Sequence, residues 1–447
     1  MRRVFAGTVL TLLLGVPAAL AQTPISPART PAVPAQAPSA LQAEFDRRAA
    51  DVASRVVTWR RDFHQHPELG YQETRTAGIV ADHLRKLGME VRTGVAKTGV
   101  VGILRGGKPG RVVALRADMD ALPVTEELDV PYASKLKAQW NGQEVGVMHA
   151  CGHDAHTAML MGAAEVLAGM KDRLPGTVMF IFQPAEESIP GDELSGAELM
   201  VKEGVLDSPR PDAIFGLHTF PGPVGHIGYR AGGQMAAGNT LSITVTGKQT
   251  HGGMPWAGVD PIVVASQIVL GLQTIVSRQV DLTQAPAVIS IGKISGGVRT
   301  NIIPESVLME GTIRTFDPAM RAEVLRRVRQ TAENIARAAG ATAAVTITDG
   351  YPVTMNDPDL TAQMAPTLER VAGKGSARVV PPVMPSEDFS YYAQKVPGLY
   401  FLLYVTPPEQ DPATAPANHS PRYTVDERAL PVGTRALAAL AVDFLMK

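Results

Sequence analysis

A ten-residue segment around the only cysteine of the chain carries the densest set of metal-ligating side chains. It runs from Met148 to Thr157 (MHACGHDAHT) and places three histidines and an aspartate within five residues of Cys151. A single cysteine cannot form an intrachain disulfide, and most free cysteines are simply small buried hydrophobic residues. Thiolate, imidazole and carboxylate together, however, are what a borderline-soft divalent metal selects. The segment therefore predicts a metal site that includes Cys151.

Further candidate ligands follow apolar runs that are typical of buried strands. They are Asp118 and Asp120 after residues 112–115, Glu186 and Glu187 after residues 178–182, His218 after residues 213–217, and His419 after residues 399–405. Apolar runs that alternate with helical segments predict an α/β fold with a mostly parallel central sheet. Ligands bind such sheets at the carboxyl ends of the strands, so we expect these segments to converge on one rim.

The adjacent glutamates Glu186 and Glu187 are the second notable feature. Neighbouring carboxylates repel each other and point in different directions in a loop, so that one can bind a metal while the other carries protons. A Glu-Glu pair alone is more often a solvated acidic turn. Because this pair directly follows an apolar strand and Gln183-Pro184-Ala185, we favour the functional interpretation.

A different pattern begins near residue 234. Its elements are strands at 240–245, 287–292, 307–315 and 343–348, with helices that begin at Asp260-Pro261 and Asp317-Pro318. The order strand, helix, strand, strand, helix, strand predicts a ferredoxin-like α+β domain. We expect this domain (residues 234–350) to be inserted in a catalytic domain formed by residues 41–233 and 351–447.

The face of strand 307–315 that carries Arg314 is predicted by alternation. Val307, Met309 and Ile313 share one face, and Arg314 lies on the other. If the apolar face packs on the helices, Arg314 points outward, where it could hold a substrate carboxylate. A solvent-exposed arginine is the commoner alternative.

The amino terminus predicts export. Arg2 and Arg3 precede an apolar run at residues 4–14, and residues 19–21 (ALA) fit a cleavage site, so residues 1–21 are interpreted as a secretory signal peptide. The run is too short for a permanent membrane span. Residues 22–40 are rich in proline and alanine and are interpreted as a linker. We therefore expect a secreted or periplasmic protein.

The charge balance excludes some classes of partner. The chain has 42 basic and 43 acidic residues, which does not indicate a nucleic acid or an anionic membrane surface as partner. A small-molecule substrate is favoured instead.

Eight segments resemble, in the same order, those of the metal-dependent aminoacylase/carboxypeptidase peptidases, in the branch of hippurate hydrolases and indole-acetyl-amino-acid hydrolases. They are HQHPELG (64–70), ALRADMDALP (114–123), MHACGHDAHTAM (148–159), FQPAEE (182–187), HGGMP (251–255), GTIRTF (311–316), SEDFSY (386–391) and the segment around His419. The resemblance extends from about residue 50 to the carboxyl terminus.

This resemblance implies two divalent metal ions per subunit, with Zn, Mn, Co and Ni all open. The implied ligands are Cys151 as the bridge, with His153, Glu187, His218 and His419. Glu186 would be the general base, and Asp120 would orient a ligand imidazole.

The resemblance also implies a homodimer formed through the inserted domain. His251 would then reach across the dimer and stabilise the oxyanion. Asn301, a turn residue by default, would join Arg314 in binding substrate. Five other histidines are expected to have structural or supporting roles: His64, His66, His149, His156 and His226.

We therefore expect an exported metal-dependent amidohydrolase that cleaves N-acyl amino acids, hippurate-like or N-acetyl. A metallo-carboxypeptidase or dipeptidase that acts on peptides or cell-wall fragments is the alternative, since both need Arg314 for a terminal carboxylate. An exported binding protein also suits two α/β-type domains, but it would have no use for Glu186 beside a metal ligand.

Overall fold

The computed structural model describes residues 40–447 other than Ser188 and Asp192. The predicted signal peptide and all but the last residue of the predicted linker lie outside the described residues.

The described residues form nine α-helices and eighteen strands. The helices are α1 Ala40–Gln65, α2 Thr74–Lys86, α3 His153–Ala168, α4 Gly196–Lys202, α5 Pro261–Arg278, α6 Pro318–Ala338, α7 Pro358–Ala372, α8 Phe389–Ala393 and α9 Leu430–Met446. The strands are β1 Glu90–Val95, β2 Gly99–Arg105, β3 Lys108–Asp118, β4 Lys137–Trp140, β5 Gln143–Gly146, β6 Pro175–Gln183, β7 Ala213–Pro223, β8 Ile227–Tyr229, β9 Gly232–Met235, β10 Ala237–Thr246, β11 Thr250–His251, β12 Ala287–Ser295, β13 Ile302–Ile303, β14 Ser306–Thr315, β15 Thr342–Asp349, β16 Thr354–Asn356, β17 Ala377–Val379 and β18 Gly398–Thr406.

Three helices begin with the same Asp-Pro pair. The side chains of Asp260, Asp317 and Asp357 each accept a hydrogen bond from a backbone N–H in the first turn of α5, α6 and α7. The proline that follows has no N–H to leave unpaired and already has a helical φ. The helix starts predicted at residues 260 and 317 are therefore confirmed, with a local physical cause.

The central sheet has eight strands in the order β1-β2-β6-β3-β7-β18-β8-β17. Its middle strands β6, β3, β7 and β18 pair in parallel. Alternate residues of β3 enter different cores: Val113 and Leu115 pack with α1, α3 and α9, whereas Ala114 packs with α4 and α8. The predicted α/β fold, with a mostly parallel sheet covered on both faces, is confirmed.

A second sheet is antiparallel throughout, in the order β12-β14-β10-β15. Val307, Met309 and Ile313 of β14 are buried with the apolar faces of α5 and α6. The predicted alternation along this strand is therefore correct, and the element order is the ferredoxin-like one. The chain enters this region through β9 and leaves it through β16, and these two strands pair with each other.

Within the described residues, two helical segments are long and apolar enough to cross a membrane, Pro261–Arg278 and Glu427–Met446. This is weak evidence for a span, because core helices have the same composition. The second segment is 72% buried in the protein, and the first packs one face on the antiparallel sheet.

Candidate metal centre

The five predicted metal ligands lie together at the carboxyl edge of the central sheet. The ligating atoms of Cys151, His153 and His218 lie within 4.8 Å of one another, and so do those of Cys151, Glu187 and His419. The Cys151 Sγ lies 3.4 Å from His218 Nε2, and His419 Nε2 lies 2.6 Å from Glu187 Oε1. The thiol therefore belongs to both groups of ligands.

His218 reaches this edge in a way that differs from the prediction. The sequence suggested that it follows the end of a strand, but it lies inside β7. The neighbouring strand β3 pairs with β7 only as far as Arg116 opposite Gly216, whereas β18 pairs with it up to Pro223. Because β7 extends beyond β3, the imidazole stands at the rim although its backbone is still paired.

The backbone fixes the proton on two of the ligand imidazoles. Nδ1 of His153 donates to the carbonyl oxygen of Asp120 (2.9 Å), and Nδ1 of His218 donates to that of Thr219 (2.8 Å). A carbonyl oxygen can only accept, so Nε2 of each neutral ring keeps its lone pair for a ligand. Nε2 of His153 is buried and has no hydrogen-bond partner in the described part of the chain. A buried imidazole nitrogen without a hydrogen-bond partner is suited to bind a metal ion.

The electrostatic surroundings also fit a cation. Burial, followed by the carboxylate of Glu187, raises the pKa of the Cys151 thiol well above its ordinary value. Burial opposes the charged form of His153, but Asp118 and Asp120 outweigh it and raise the pKa of this imidazole to about 10. These carboxylates therefore stabilise a positive charge at the ring, which a metal ion on Nε2 supplies in place of a proton. A thiolate forms in such a place only when a positive charge compensates it. The donor set and its charge therefore suit divalent metal ions.

A glycine positions the two ligands at the start of α3. Gly152 has a φ of 89°, in the left-handed region, and separates Cys151 from His153. A Cβ at Gly152 would lie 2.3 Å from the Thr219 hydroxyl oxygen. Only glycine combines this conformation with so close an approach to β7.

Asp120 connects the ligand imidazole to the Glu186-Glu187 loop. Its Oδ1 lies 3.2 Å from Nδ1 of His153 and accepts from the backbone N–H of Glu186 (3.0 Å), while Oδ2 accepts from that of Glu187 (3.0 Å). The side chain is buried. One carboxylate thus contacts both segments from which candidate ligands come.

Glu186 lies between the ligands and a second group of acids. Its carboxylate is within 4.8 Å of those of Glu387 and Asp388. Burial, followed by the charge of Glu387, raises the pKa of Glu186 well above its ordinary value. Arg116 offsets this negative charge: its guanidinium lies 2.9 Å from Glu387 Oε1 and 2.8 Å from Asp388 Oδ1.

Glu387 and Asp388 were not predicted as site residues, although they lie in SEDFSY (386–391), one of the eight segments that carry the family resemblance. The signal was available, because they are a second pair of adjacent carboxylates next to an apolar helix.

His156 bonds Asp118 through Nδ1 (2.6 Å), and its Nε2 accepts from the Thr219 N–H (2.9 Å). Both of its nitrogens are therefore engaged, which agrees with the supporting role expected for it.

A cavity of about 620 Å³ opens onto the ligands. Its wall includes apolar side chains (Phe220, Pro221, Met235, Pro385) and Arg314. Arg314 donates to the Ser386 hydroxyl and makes no ion pair with a carboxylate among the described residues. A guanidinium whose partner is neutral has charge available for an anionic ligand.

Tyr351 is a further cavity residue that the sequence analysis missed. Its hydroxyl donates to the backbone carbonyl oxygen of Glu186. Burial, followed by the charge of Glu186, raises the pKa of Tyr351 well above its ordinary value, so the phenol stays a donor. Nothing in the sequence pattern around Tyr351 indicated this contact, which joins segments 165 residues apart.

His251 and Asn301 lie elsewhere, and neither lines this cavity as the described residues form it. They are exposed neighbours: the N–H of Gly252 donates to the Asn301 carbonyl oxygen (2.8 Å). The N–H of Gly253 donates to Nδ1 of His251 (3.0 Å), so the neutral ring carries its proton on Nε2. That nitrogen is a donor without further rearrangement.

Comparison with known proteins agrees with this geometry. Residues 114–443 match peptidase family M20/M25/M40. The chain is 42% identical over 400 residues to thermostable carboxypeptidase 2 of Saccharolobus solfataricus, covering 89% of this chain and 97% of that protein. It is 38% identical over 404 residues to IAA-amino acid hydrolase ILR1-like 2 of Arabidopsis thaliana, covering 89% and 87%.

A solved structure is similar over nearly its whole length. The Bacillus subtilis YXEP protein, described as a dinuclear metal-binding peptidase of this family, superposes with a TM-score of 0.73 at 35% identity, covering 89% of this chain and 99% of that one. Together with the ligand groups around Cys151, this supports two divalent metal ions. The chain belongs to peptidase family M20/M25/M40 and is a metal-dependent amide-bond hydrolase.

Proposed function

We propose that the protein hydrolyses the amide bond of N-acyl amino acids, either hippurate-like or N-acetyl. The observation that carries the proposal is the presence of two groups in one cavity. Glu186 and Arg314 line the same cavity as the metal ligands, and Arg314 has no carboxylate partner among the described residues. A substrate that has an amide bond and a free carboxylate satisfies both.

The metal ions would be held by the five residues predicted from the sequence. Cys151, which belongs to both groups of ligating atoms, would be the shared ligand, and His153, His218, Glu187 and His419 would complete the set. Divalent ions at such a site activate water and polarise a carbonyl oxygen. The residues suit Zn, Mn, Co or Ni alike, because thiolate, imidazole and carboxylate all take part.

Glu186 would act as the general base and then as the general acid. Its carboxylate removes a proton from the attacking water and delivers it to the nitrogen of the leaving amino acid. The raised pKa of Glu186 favours the second step, because a group that holds a proton strongly can carry it between the two atoms. Asp120 would hold the base and the ligand His153 at a fixed distance from each other through its bonds to both segments.

Substrate binding would combine charge and apolar contact. Arg314 would hold the carboxylate, with Asn301 as a second contact, and the apolar wall around Phe220 and Met235 would take the acyl group. A metallo-carboxypeptidase or dipeptidase is the second candidate, because Arg314 suits a peptide carboxyl terminus equally well and one relative is named a carboxypeptidase.

We propose that His251 and Asn301 complete the site from a second copy of the chain. Their separation from the cavity supports this, as do exposed apolar residues on α5, such as Leu270 (70% exposed) and Val263 (53%), beside the edge strand β12. Mixing Glu186→Gln with His251→Ala subunits tests it. Activity should reappear only if each copy supplies one residue to a shared site.

We also propose the predicted domain boundaries (41–233, 234–350 and 351–447) and export with cleavage after Ala21. The pairing of β9 with β16 at the base of the antiparallel sheet supports the boundaries. Amino-terminal sequencing of the mature protein from a periplasmic or culture fraction tests the cleavage.

The main experiment removes metal with a chelator and restores Zn²⁺, Mn²⁺ or Co²⁺ singly. Release of amine is then measured on acetyl-, benzoyl- and aminoacyl-capped amino acids. The proposal expects metal-dependent release from the acyl-capped set, whereas preference for the aminoacyl set would favour the peptidase alternative. Glu186→Gln should retain its metal and lose turnover by about 10²-fold or more. Retained turnover would remove Glu186 from the mechanism.

A further inference from the structure

The short segment that carries the base is held by side chains at every peptide group. The N–H of Ala185 donates to Glu73 Oε1 (2.8 Å), and those of Glu186 and Glu187 donate to Asp120 (3.0 Å each). Ala185 has a φ of 45°, which is unfavourable for a residue with a side chain, so the conformation depends on these contacts. The carbonyl oxygen of Glu186 accepts from the Tyr351 hydroxyl.

Tyr351 differs from the other holding residues because it belongs to the segment by which the chain leaves the antiparallel sheet. It lies between the end of β15 at Asp349 and the start of β16 at Thr354. Its own carbonyl oxygen accepts from the N–H of Gly238 (3.0 Å), the second residue of β10. The residue is thus fixed to the antiparallel sheet by its backbone and to the base by its side chain.

We propose that Tyr351 is a positioning residue for Glu186, which ties the base to the placement of the antiparallel sheet. The proposal rests on the proposed function, in which Glu186 carries the proton. The Tyr351 hydroxyl fixes the orientation of the peptide group that follows Glu186. The orientation of this peptide group in turn determines the position from which the Glu186 side chain extends. Loss of the bond leaves a carbonyl oxygen without its donor and lets the segment rotate, and a small displacement of a reacting group is costly in rate.

Tyr351→Phe tests the proposal, with Tyr391→Phe as the matched control. The two rings pack edge to face at 6.3 Å, and the Tyr391 hydroxyl bonds Glu198 instead of the base. Each change removes one hydroxyl from the same aromatic pair. We expect Tyr351→Phe to lower kcat about 10- to 100-fold with KM changed by less than about two-fold and metal content unchanged. The control should retain the kcat of the parent.

A second measurement does not depend on turnover. Amide hydrogen exchange of the peptide that contains Glu186 and Glu187 is followed in the metal-free protein. We expect this exchange to be about tenfold faster in Tyr351→Phe than in the parent, and we expect the exchange rate of the control to equal that of the parent. Replacement of Tyr351 by 4-aminophenylalanine, which keeps a donor, should recover kcat and slow exchange. If the phenylalanine variant unfolds, 4-methylphenylalanine fills the same volume without a donor and replaces it.

The outcomes separate this inference from the proposed function. One outcome would overturn the inference alone. In that outcome the parent shows metal-dependent turnover, and Tyr351→Phe has the same kcat and the same amide exchange rate as the parent. Equal losses in both phenylalanine variants would also overturn it, since packing would then be the cause. Absence of turnover in the parent would overturn the proposed function, and the exchange result would still report whether Tyr351 holds the segment.

Discussion

Replacement of Asp120 by asparagine is the sharpest perturbation of the candidate centre. The carboxylate accepts two backbone N–H groups, from Glu186 and Glu187, and also contacts the ligand His153. Asparagine has almost the same shape but only one acceptor atom. Whichever way its amide turns, an NH₂ group faces one of the two N–H donors, so one buried donor loses its partner.

The size of the effect follows from that count. A buried N–H left without an acceptor costs about 1–3 kcal/mol, and 1.4 kcal/mol corresponds to a factor of about ten. If this free energy is lost from the arrangement that binds metal and substrate, kcat/KM or metal affinity should drop roughly 5- to 150-fold. The 10- to 100-fold effects typical of residues that support metal ligands lie in the same range.

The assay measures both quantities on the same preparation. Metal affinity is determined by competition with a chelator, and kcat/KM is determined with the best acyl-capped substrate under metal saturation. Asp443→Asn is the control, because Asp443 bonds Thr367 and Arg370 on the opposite side of the fold from the ligands. A folded Asp120→Asn protein with both values within about two-fold of the parent would refute the assigned role of Asp120.

Three further predictions concern charge, backbone and substrate contact. Glu387→Gln removes the negative charge that helps to raise the pKa of Glu186, so the pKa of Glu186 should fall. Because the base must be deprotonated, the acidic limb of the kcat/KM–pH profile should then move to lower pH. A shift of this limb to higher pH would contradict the electrostatic argument. Gly152→Ala should lower the free energy of unfolding by about 2 kcal/mol or more, because backbone strain and atomic overlap add. Gly142→Ala is the control, since Gly142 has a similar φ (76° against 89°) but open space where a Cβ would lie. Thermal unfolding should show a much smaller loss of unfolding free energy for this control. Arg314→Lys should raise KM roughly tenfold for substrates with a free carboxylate and leave their carboxamide analogues unchanged, since lysine lacks the bidentate fork; equal effects on both substrates would exclude carboxylate binding by Arg314.

The fold could be predicted well where local chemistry decided it. The Asp-Pro pairs mark helix starts, and the apolar runs mark the parallel strands. Strand β2, which lies between the edge strand β1 and β6, was missed although it is apolar, because Gly99 and Gly102 leave only short apolar runs. The second glycine is needed for packing: a Cβ at Gly102 would lie 2.8 Å from Leu84 of α2. A sequence pattern cannot distinguish a glycine that ends a strand from one that admits a helix.

The residue types at the metal centre were determined by the sequence alone. A lone cysteine among histidines, and acids placed after apolar strands, already indicate thiolate, imidazole and carboxylate ligands for a divalent metal. These inferences hold because ligand chemistry depends on residue type, and parallel strands bring their carboxyl ends to one edge.

Only the tertiary structure decided which partner each side chain meets. The second acid pair beside Glu186, the neutral partner of Arg314 and the hydroxyl of Tyr351 on the base are contacts between segments 72 to 202 residues apart. Such contacts depend on how strands of unequal length and two sheets lie against each other, and no local pattern records that. The sequence therefore specified the chemistry of the site, and packing specified its geometry.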